Sequence, residues 1–358
     1  MKVVYLDQMH WIGLAKARVN HPDGMAYRDA FQELTGAVTD GRVLLPLADV
    51  HYNETSGTAS VRQRTDVALT MDRLSRYVTL ASREVVLRAE LRYALGQWAG
   101  LTIPKPTLGD FLGRGCGFAF GEPVGRGTIV GPDEARADLF ARADEVVDTL
   151  ERKVGDGWTY LDRSRARSGE ELVIGALRDC ADFRLLRGPA PADVDELRRD
   201  YGYRPETFTN LIADITKREQ ELADMLVQGS ARREKLEDIV AARFWVWEIG
   251  DMLITLLDEL GIPRQKLLDA GRSAFDQILR DMPSMQVEIA IRVANFQNGS
   301  YRWKSNDILD LAMLGRAIAY CDIVVTEKHA ARQASRAKLA ERFGTVVLTD
   351  ITSLRPLI

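Results

Sequence analysis

Residues 3–15 read VVYLDQMHWIGLA, and this stretch decides how the rest of the chain is read. Residues 2–6 form a short, β-branched, nearly continuous apolar run, the pattern of a strand buried on both faces. Asp7 follows at once, and Trp11, Ile12 and Leu14 then open a helix with a buried face. A carboxylate between two buried elements is costly unless it caps the helix, meets a positive partner or binds a cation. In an open parallel sheet, ligands bind outside the carboxyl ends of the strands. The residues that follow each strand therefore become the first candidates for function.

Working outward, residues 25–38 have helical spacing and stop at Asp40-Gly41. Residues 42–47 give a second buried strand, residues 58–75 a helix, and residues 77–81 a third strand. Alternation of this kind predicts a parallel sheet with right-handed crossovers. From 82 to 299 the spacing is helical almost throughout, most clearly at 134–154, 169–186, 206–227, 232–260 and 265–281. The exception is the glycine-rich stretch 109–131, expected to be a long surface loop. Alternation returns with a helix at 307–320, the strand DIVVT at 322–326, a basic helix at 329–343 and a last strand at 345–348. The expected architecture is one α/β domain built from residues 1–81 and 300–358. A mostly helical insertion, 82–299, interrupts it.

The chain has 358 residues, 46% hydrophobic and 28% charged, which excludes long disorder and collagen-like repeats. Lys and Arg number 48 against 52 Asp and Glu, a net charge of -4 that excludes a globally basic nucleic-acid coat but not a local basic groove. Cys116, Cys180 and Cys321 are too far apart for a CxxC site, and a reduced, cytoplasmic setting is expected. No targeting segment is read ahead of the first strand. Residues 244–260 are too short and too charged to cross a bilayer, so no membrane partner is expected. There are four histidines and no HExxH motif, so any metal must be held by carboxylates. Residues 109–131 lack the Gly-Lys-Ser/Thr ending of a P-loop, and no GxSxG elbow occurs. Position 9 is Met, where a haloacid-dehalogenase-like phosphatase would place a second Asp.

Acids recur at the predicted sheet edge. Asp7 ends the first strand, and Glu54 lies in LLPLADVHYNET at 44–55. Asp307 and Asp310 share the first turn of a helix, with Ser305 or Asn306 as expected N-cap, and Thr326-Glu327-Lys328 follow DIVVT. Each has a plain explanation: an N-cap, a solvated loop acid, or an acid favoured by the helix dipole. Asp310 fits that explanation least, because Leu309, Met313 and Ala317 put it on the apolar side. Brought to one edge, these carboxylates would repel, and only protons, basic partners or cations would relieve them. An all-oxygen ligand set selects Mg²⁺ or Mn²⁺.

Residues 3–15, 44–55 and 303–330 (WKSNDILDLAMLGRAIAYCDIVVTEKHA) together resemble the PIN-like domain family of metal-dependent nucleases. The resemblance covers about residues 1–80 and 300–358, and the helical middle has no counterpart in compact members. It implies a three-layer α/β/α fold around a parallel sheet, and hydrolysis of phosphodiester bonds, of RNA rather than DNA. It implies a catalytic set of Asp7, Glu54, Asp310 and Thr326, with Thr326 positioning a carboxylate or water. The implied metal ligands are Asp7, Glu54 and Asp310. Gln8 stands where Thr or Ser is common and Lys328 where many members carry an acid, so Asp307 and Glu327 both compete to be the fourth ligand. Lys328, Arg62 and Arg332 are the candidate phosphate contacts, beside the basic run Arg163, Arg165 and Arg167; the plain reading of each is solvated surface. Trp11 and Trp303 read first as packing residues and second as base-stacking ones. The rival reading is a non-catalytic binding module whose insertion docks a protein partner.

Overall fold

In the computed structural model the described residues are 1–121, 168–189, 191–201, 204–229 and 233–358, with isolated positions between 141 and 149. The expected helix at 134–154, the arginines at 163, 165 and 167, and the second half of the glycine-rich stretch lie largely or wholly outside them. The described chain is mostly helical with short parallel strands. It divides into two compact units: Met1–Ser82 with Leu112–Tyr201 and Asp350–Ile358, and Arg83–Phe111 with Gly202–Thr349. Among the described residues, no helix is long and apolar enough to cross a membrane.

In the first unit, strand β1 (Lys2–Leu6) buries Val3, Val4, Tyr5 and Leu6, as its apolar run predicts. Full burial of each such side chain stabilises by about 2 kcal/mol. β1 pairs in parallel with β2 (Val43–Leu44), which is shorter than the predicted 42–47. Pro46 interrupts the ladder because it has no N–H to donate. Leu47 then bridges in parallel to β3 (Val78–Leu80). The Val61–Ser75 helix packs between the Gln8–Arg18 and Gly169–Arg187 helices. The glycine-rich stretch departs from its expected form: Leu112–Arg114 is a strand, β4, antiparallel to β3, and Gly115–Ala119 is a short helix. Gly115 makes that turn possible. It holds φ at +85°, and a Cβ there would stand 2.6 Å from Asp182 Oδ2. Asp182 Oδ1 in turn accepts the Cys116 N–H at 2.6 Å.

In the second unit, strand β5 (Ile323–Val325) pairs in parallel with β6 (Val346–Leu348). The predicted basic helix between them is two: Lys328–Arg336 and Leu339–Phe343, parted where Lys338 adopts φ +52°. The expected helix over 232–260 is likewise broken. Leu236–Arg243 runs into a π-helical turn, Phe244–Glu248, before Gly250–Glu259 resumes. The turn carries Glu248 onto two arginines. Arg83 donates to Glu248 and, through Nε and Nη2 at 2.8 Å each, to Glu288; Arg292 also donates to Glu248. Both guanidiniums lie over the Phe244 ring, 5.1 and 5.4 Å from its centroid.

Glu90 is fully buried in the same unit and accepts from Ser284 N (3.0 Å), Ser284 Oγ (2.7 Å) and Tyr320 Oη (2.6 Å). Burial outweighs those bonds and pushes its carboxyl from 4.5 up to about 7. The folded state therefore holds this proton more tightly than the unfolded chain. Below about pH 4.5 both states are protonated and nothing is lost; as pH rises through about 7 the fold loses about 3 kcal/mol of relative stability. Urea unfolding at about pH 5 and about pH 8 is expected to show this decline, and Glu90→Gln to flatten it. An unchanged slope in the variant would assign the decline to other groups.

Candidate carboxylate sites

The predicted residues are shared between the units. Asp7, Glu54 and Arg62 belong to the first; Asp307, Asp310, Thr326, Glu327, Lys328 and Arg332 belong to the second.

In the first unit Asp7 is the N-cap of the Gln8–Arg18 helix, at φ -64° and ψ 153°. Its carbonyl accepts the His10 N–H at 2.9 Å, but its side chain makes no capping hydrogen bond. Capping is therefore not what the Asp7 carboxylate does. Glu54 lies in the Asp49–Gly57 helix, half-buried. Burial first, and the Asp7 charge second, raise its carboxyl from 4.5 to about 7. Two elements far apart in sequence thus present two mutually repelling acids.

His51 holds those elements together. It is fully buried; Nδ1 accepts the Ala48 N–H at 3.0 Å and Nε2 donates to the Leu6 carbonyl at 3.0 Å. An acceptor at one nitrogen and a donor at the other fix the neutral tautomer. The ring also stacks on Tyr5, at 5.4 Å and 24°. His51 thereby ties the residue before Asp7 to the start of the helix that carries Glu54. His51→Phe would strand two buried backbone groups and is expected to cost about 2 to 4 kcal/mol, read as a lower urea midpoint. Gln8 donates Nε2 to Thr55 Oγ1 at 3.0 Å and makes a second tie to the Asp49–Gly57 helix, this time from the Gln8–Arg18 helix.

In the second unit Asp307 and Asp310 lie in the Ser305–Tyr320 helix, whose N-cap is Lys304 rather than Ser305 or Asn306. Asp307 accepts the Lys304 N–H at 2.6 Å, one half of a capping box. It also bonds the Tyr301 hydroxyl, whose pKa is raised by burial first and then by Asp307, Glu327 and Asp310. Asp307, Asp310 and Glu327 line one small pocket with Tyr301, Asn295 and His329. Glu327 stands at the N-cap of the Lys328–Arg336 helix and makes no capping hydrogen bond. Tyr301 stacks on His329 at 5.2 Å and 7°. Asn295 Oδ1 accepts from Gln333 Nε2 at 2.9 Å and from His329 Nε2 at 3.2 Å.

Thr326 is buried, and its N–H bonds the Leu348 carbonyl at 2.9 Å. Lys328 and Arg332 are exposed, and Arg62 has 89% of its side chain exposed with a 4.0 Å contact to Asp66. Arg64 is instead buried, donating to the carbonyls of Ser56 and Pro189. Trp11 and Trp303 are both buried, as the packing reading expects.

Among the described residues, no three His, Cys, Asp or Glu side chains form a ready-made cation cage. The donors are carboxylates and neutral amides, the chemistry that Mg²⁺ accepts while keeping several of its own waters and taking one or two carboxylates. The residues fit a hydrated hard cation better than a stripped one.

Sequence reasoning missed His51, Tyr301, Asn295, His329 and Gln333. Only His51 left a signal, standing three residues after Ala48, where a side chain can reach back to the helix start. Compared with known proteins, the chain matches no family model, no curated protein and no solved structure.

Proposed function

We propose that this chain is a divalent-metal-dependent nuclease that hydrolyses phosphodiester bonds of RNA. The observation that carries the reading is that acids picked from the sequence as cation ligands interact as sets: Asp7 with Glu54, and Asp307, Asp310 and Glu327 around a single pocket. Repulsion within each set is the condition that a bound cation relieves. The finer fold assignment, a three-layer PIN-like sandwich, and the choice of RNA over DNA rest on the sequence resemblance.

In this reading Asp7 and Glu54 in the first unit, and Asp310 with Asp307 or Glu327 in the second, are the residues that would hold Mg²⁺ or Mn²⁺. A bound ion would supply an activated water and charge stabilisation for phosphodiester hydrolysis. The chain's own contribution is positional. His51 and Gln8 fix the Asp7 and Glu54 backbones, and the Lys304 N–H and Tyr301 hydroxyl orient Asp307. The exposed Arg62, Lys328 and Arg332 supply the positive charge that a phosphate backbone requires. Asp307 already has two hydrogen bonds, which favours Glu327, the acid without a capping bond, as the further ligand.

The test is cleavage of a labelled single-stranded RNA with Mn²⁺ or Mg²⁺, with EDTA as control. Metal-dependent cleavage is expected. Absence of cleavage with either metal would favour the non-catalytic binding module.

A further inference from the structure

A second cavity, of about 430 Å³, lies wholly within the first unit, beside the Gln8–Arg18 and Val61–Ser75 helices. Gln8 and Thr55, the residues next in sequence to Asp7 and Glu54, both line it. Its size falls in the range that holds a small ligand. Its lining includes the apolar Ile12, Ala15, Val19 and Val67. It also includes Lys16, Arg62 and Arg64, with Asp66 as the acid among the lining residues, and Ser60 and Gln63 at the start of the Val61–Ser75 helix, whose first turn contains no acid. The positive end of that helix and the excess of basic side chains together favour an anion.

Gln8 adds an independent requirement. Its side chain is only 9% exposed and donates Nε2 to Thr55, yet its Oε1 is buried with no hydrogen-bond partner among the described residues. A buried acceptor left unmet is costly, so a ligand that brings an N–H donor gains by meeting it. The cavity thus asks for three things together: a flat apolar body, an N–H donor on it, and an anionic group on the Arg62 side. A nucleotide has all three in its base ring, its amino or imide N–H, and its phosphate.

We propose that this cavity is a nucleotide-binding subsite, which takes one nucleotide of a single strand with its base against Ile12 and Val19, its base N–H on Gln8 Oε1 and its phosphate at Arg62. That the nucleotide belongs to a strand rests on the nuclease reading; that the cavity takes a nucleotide does not.

The experiment titrates UMP into the full chain in EDTA, where no metal-dependent step contributes, and follows binding by calorimetry. Saturable binding is expected, weakened about tenfold or more by Arg62→Glu, through loss of a charge-assisted contact, and by Ile12→Trp, which fills the cavity. Both residues are partly or largely exposed, and a thermal melt checks that each variant is folded. UMP binding that both folded variants retain at full strength would overturn the subsite. So would absence of UMP binding in a protein that still cleaves RNA, and that result would leave the nuclease reading standing. UMP binding without cleavage by any metal would keep the subsite and remove the nuclease. A 5′-phosphorylated uridine trinucleotide that binds no tighter than UMP would overturn the assignment to a strand.

Discussion

Asp7→Asn and Asp310→Asn are each expected to lower Mn²⁺-supported RNA cleavage by about 100-fold or more, with little change in stability. The substitutions keep shape and remove one negative charge. A metal ligand contributes several kcal/mol of transition-state stabilisation, and about 3 kcal/mol corresponds to about a 100-fold loss of rate. Stability is expected to hold because the substitution removes a charge that repels Glu54 while keeping the side chain's size. Asp7→Asn has a second consequence that does not depend on catalysis. It removes the like charge beside Glu54, so the Glu54 carboxyl, now at about 7, must move back toward its ordinary value. Carboxyl-carbon NMR across a pH titration reads that shift directly. Full activity in both variants would refute the assigned ligands.

The second large effect concerns stability. Glu248→Gln is expected to cost about 3 to 5 kcal/mol, because it leaves the buried Arg292, and the part-buried Arg83 that keeps only Glu288, short of charge. The two arginines hold the Glu248 carboxyl well below its usual range, at about 2, in spite of its burial. Its ionised form is therefore the form the fold requires. Glu248 contributes stability that is present above about pH 4.5 and is lost as pH falls through about 2, opposite in sense to Glu90. A double variant, Arg292→Met with Glu248→Gln, is expected to recover part of the loss, since buried ion pairs are replaced at less cost than they are broken. Urea midpoints of the two single variants and the double variant decide the point; a double-variant loss equal to the sum of the two single losses would show that the pair is not coupled.

The elements around the candidate acids were legible where one local pattern sufficed. The run at 2–6 is a strand, Asp7 stands between it and a helix, and DIVVT contains the strand Ile323–Val325. Helix boundaries were less legible because they depend on single backbone turns. Lys338 and the π-helical turn at Phe244–Glu248 divide two segments whose spacing is helical throughout. The strand Leu112–Arg114 was hidden by its glycines, which the turn at Gly115 requires and which carry no apolar alternation. The carboxylates could be selected because an acid directly after an apolar strand, or at the start of an amphipathic helix, stands out from its neighbours. Their supports could not. His51 reaches the Leu6 carbonyl, and Tyr301 reaches Asp307, through contacts that no spacing rule encodes. Gln8 was visible only as a departure from a family pattern; the structure gives it both a bond to Thr55 and an unmet acceptor in a cavity wall.

In the proposed function the carboxylates bind a hard divalent ion. Calorimetric titration of Mn²⁺ into the full chain tests it most directly. Saturable binding is predicted, accompanied by proton release near neutral pH and abolished by Asp7→Asn. No heat of binding at millimolar Mn²⁺, or binding that Asp7→Asn and Asp310→Asn leave intact, would contradict it.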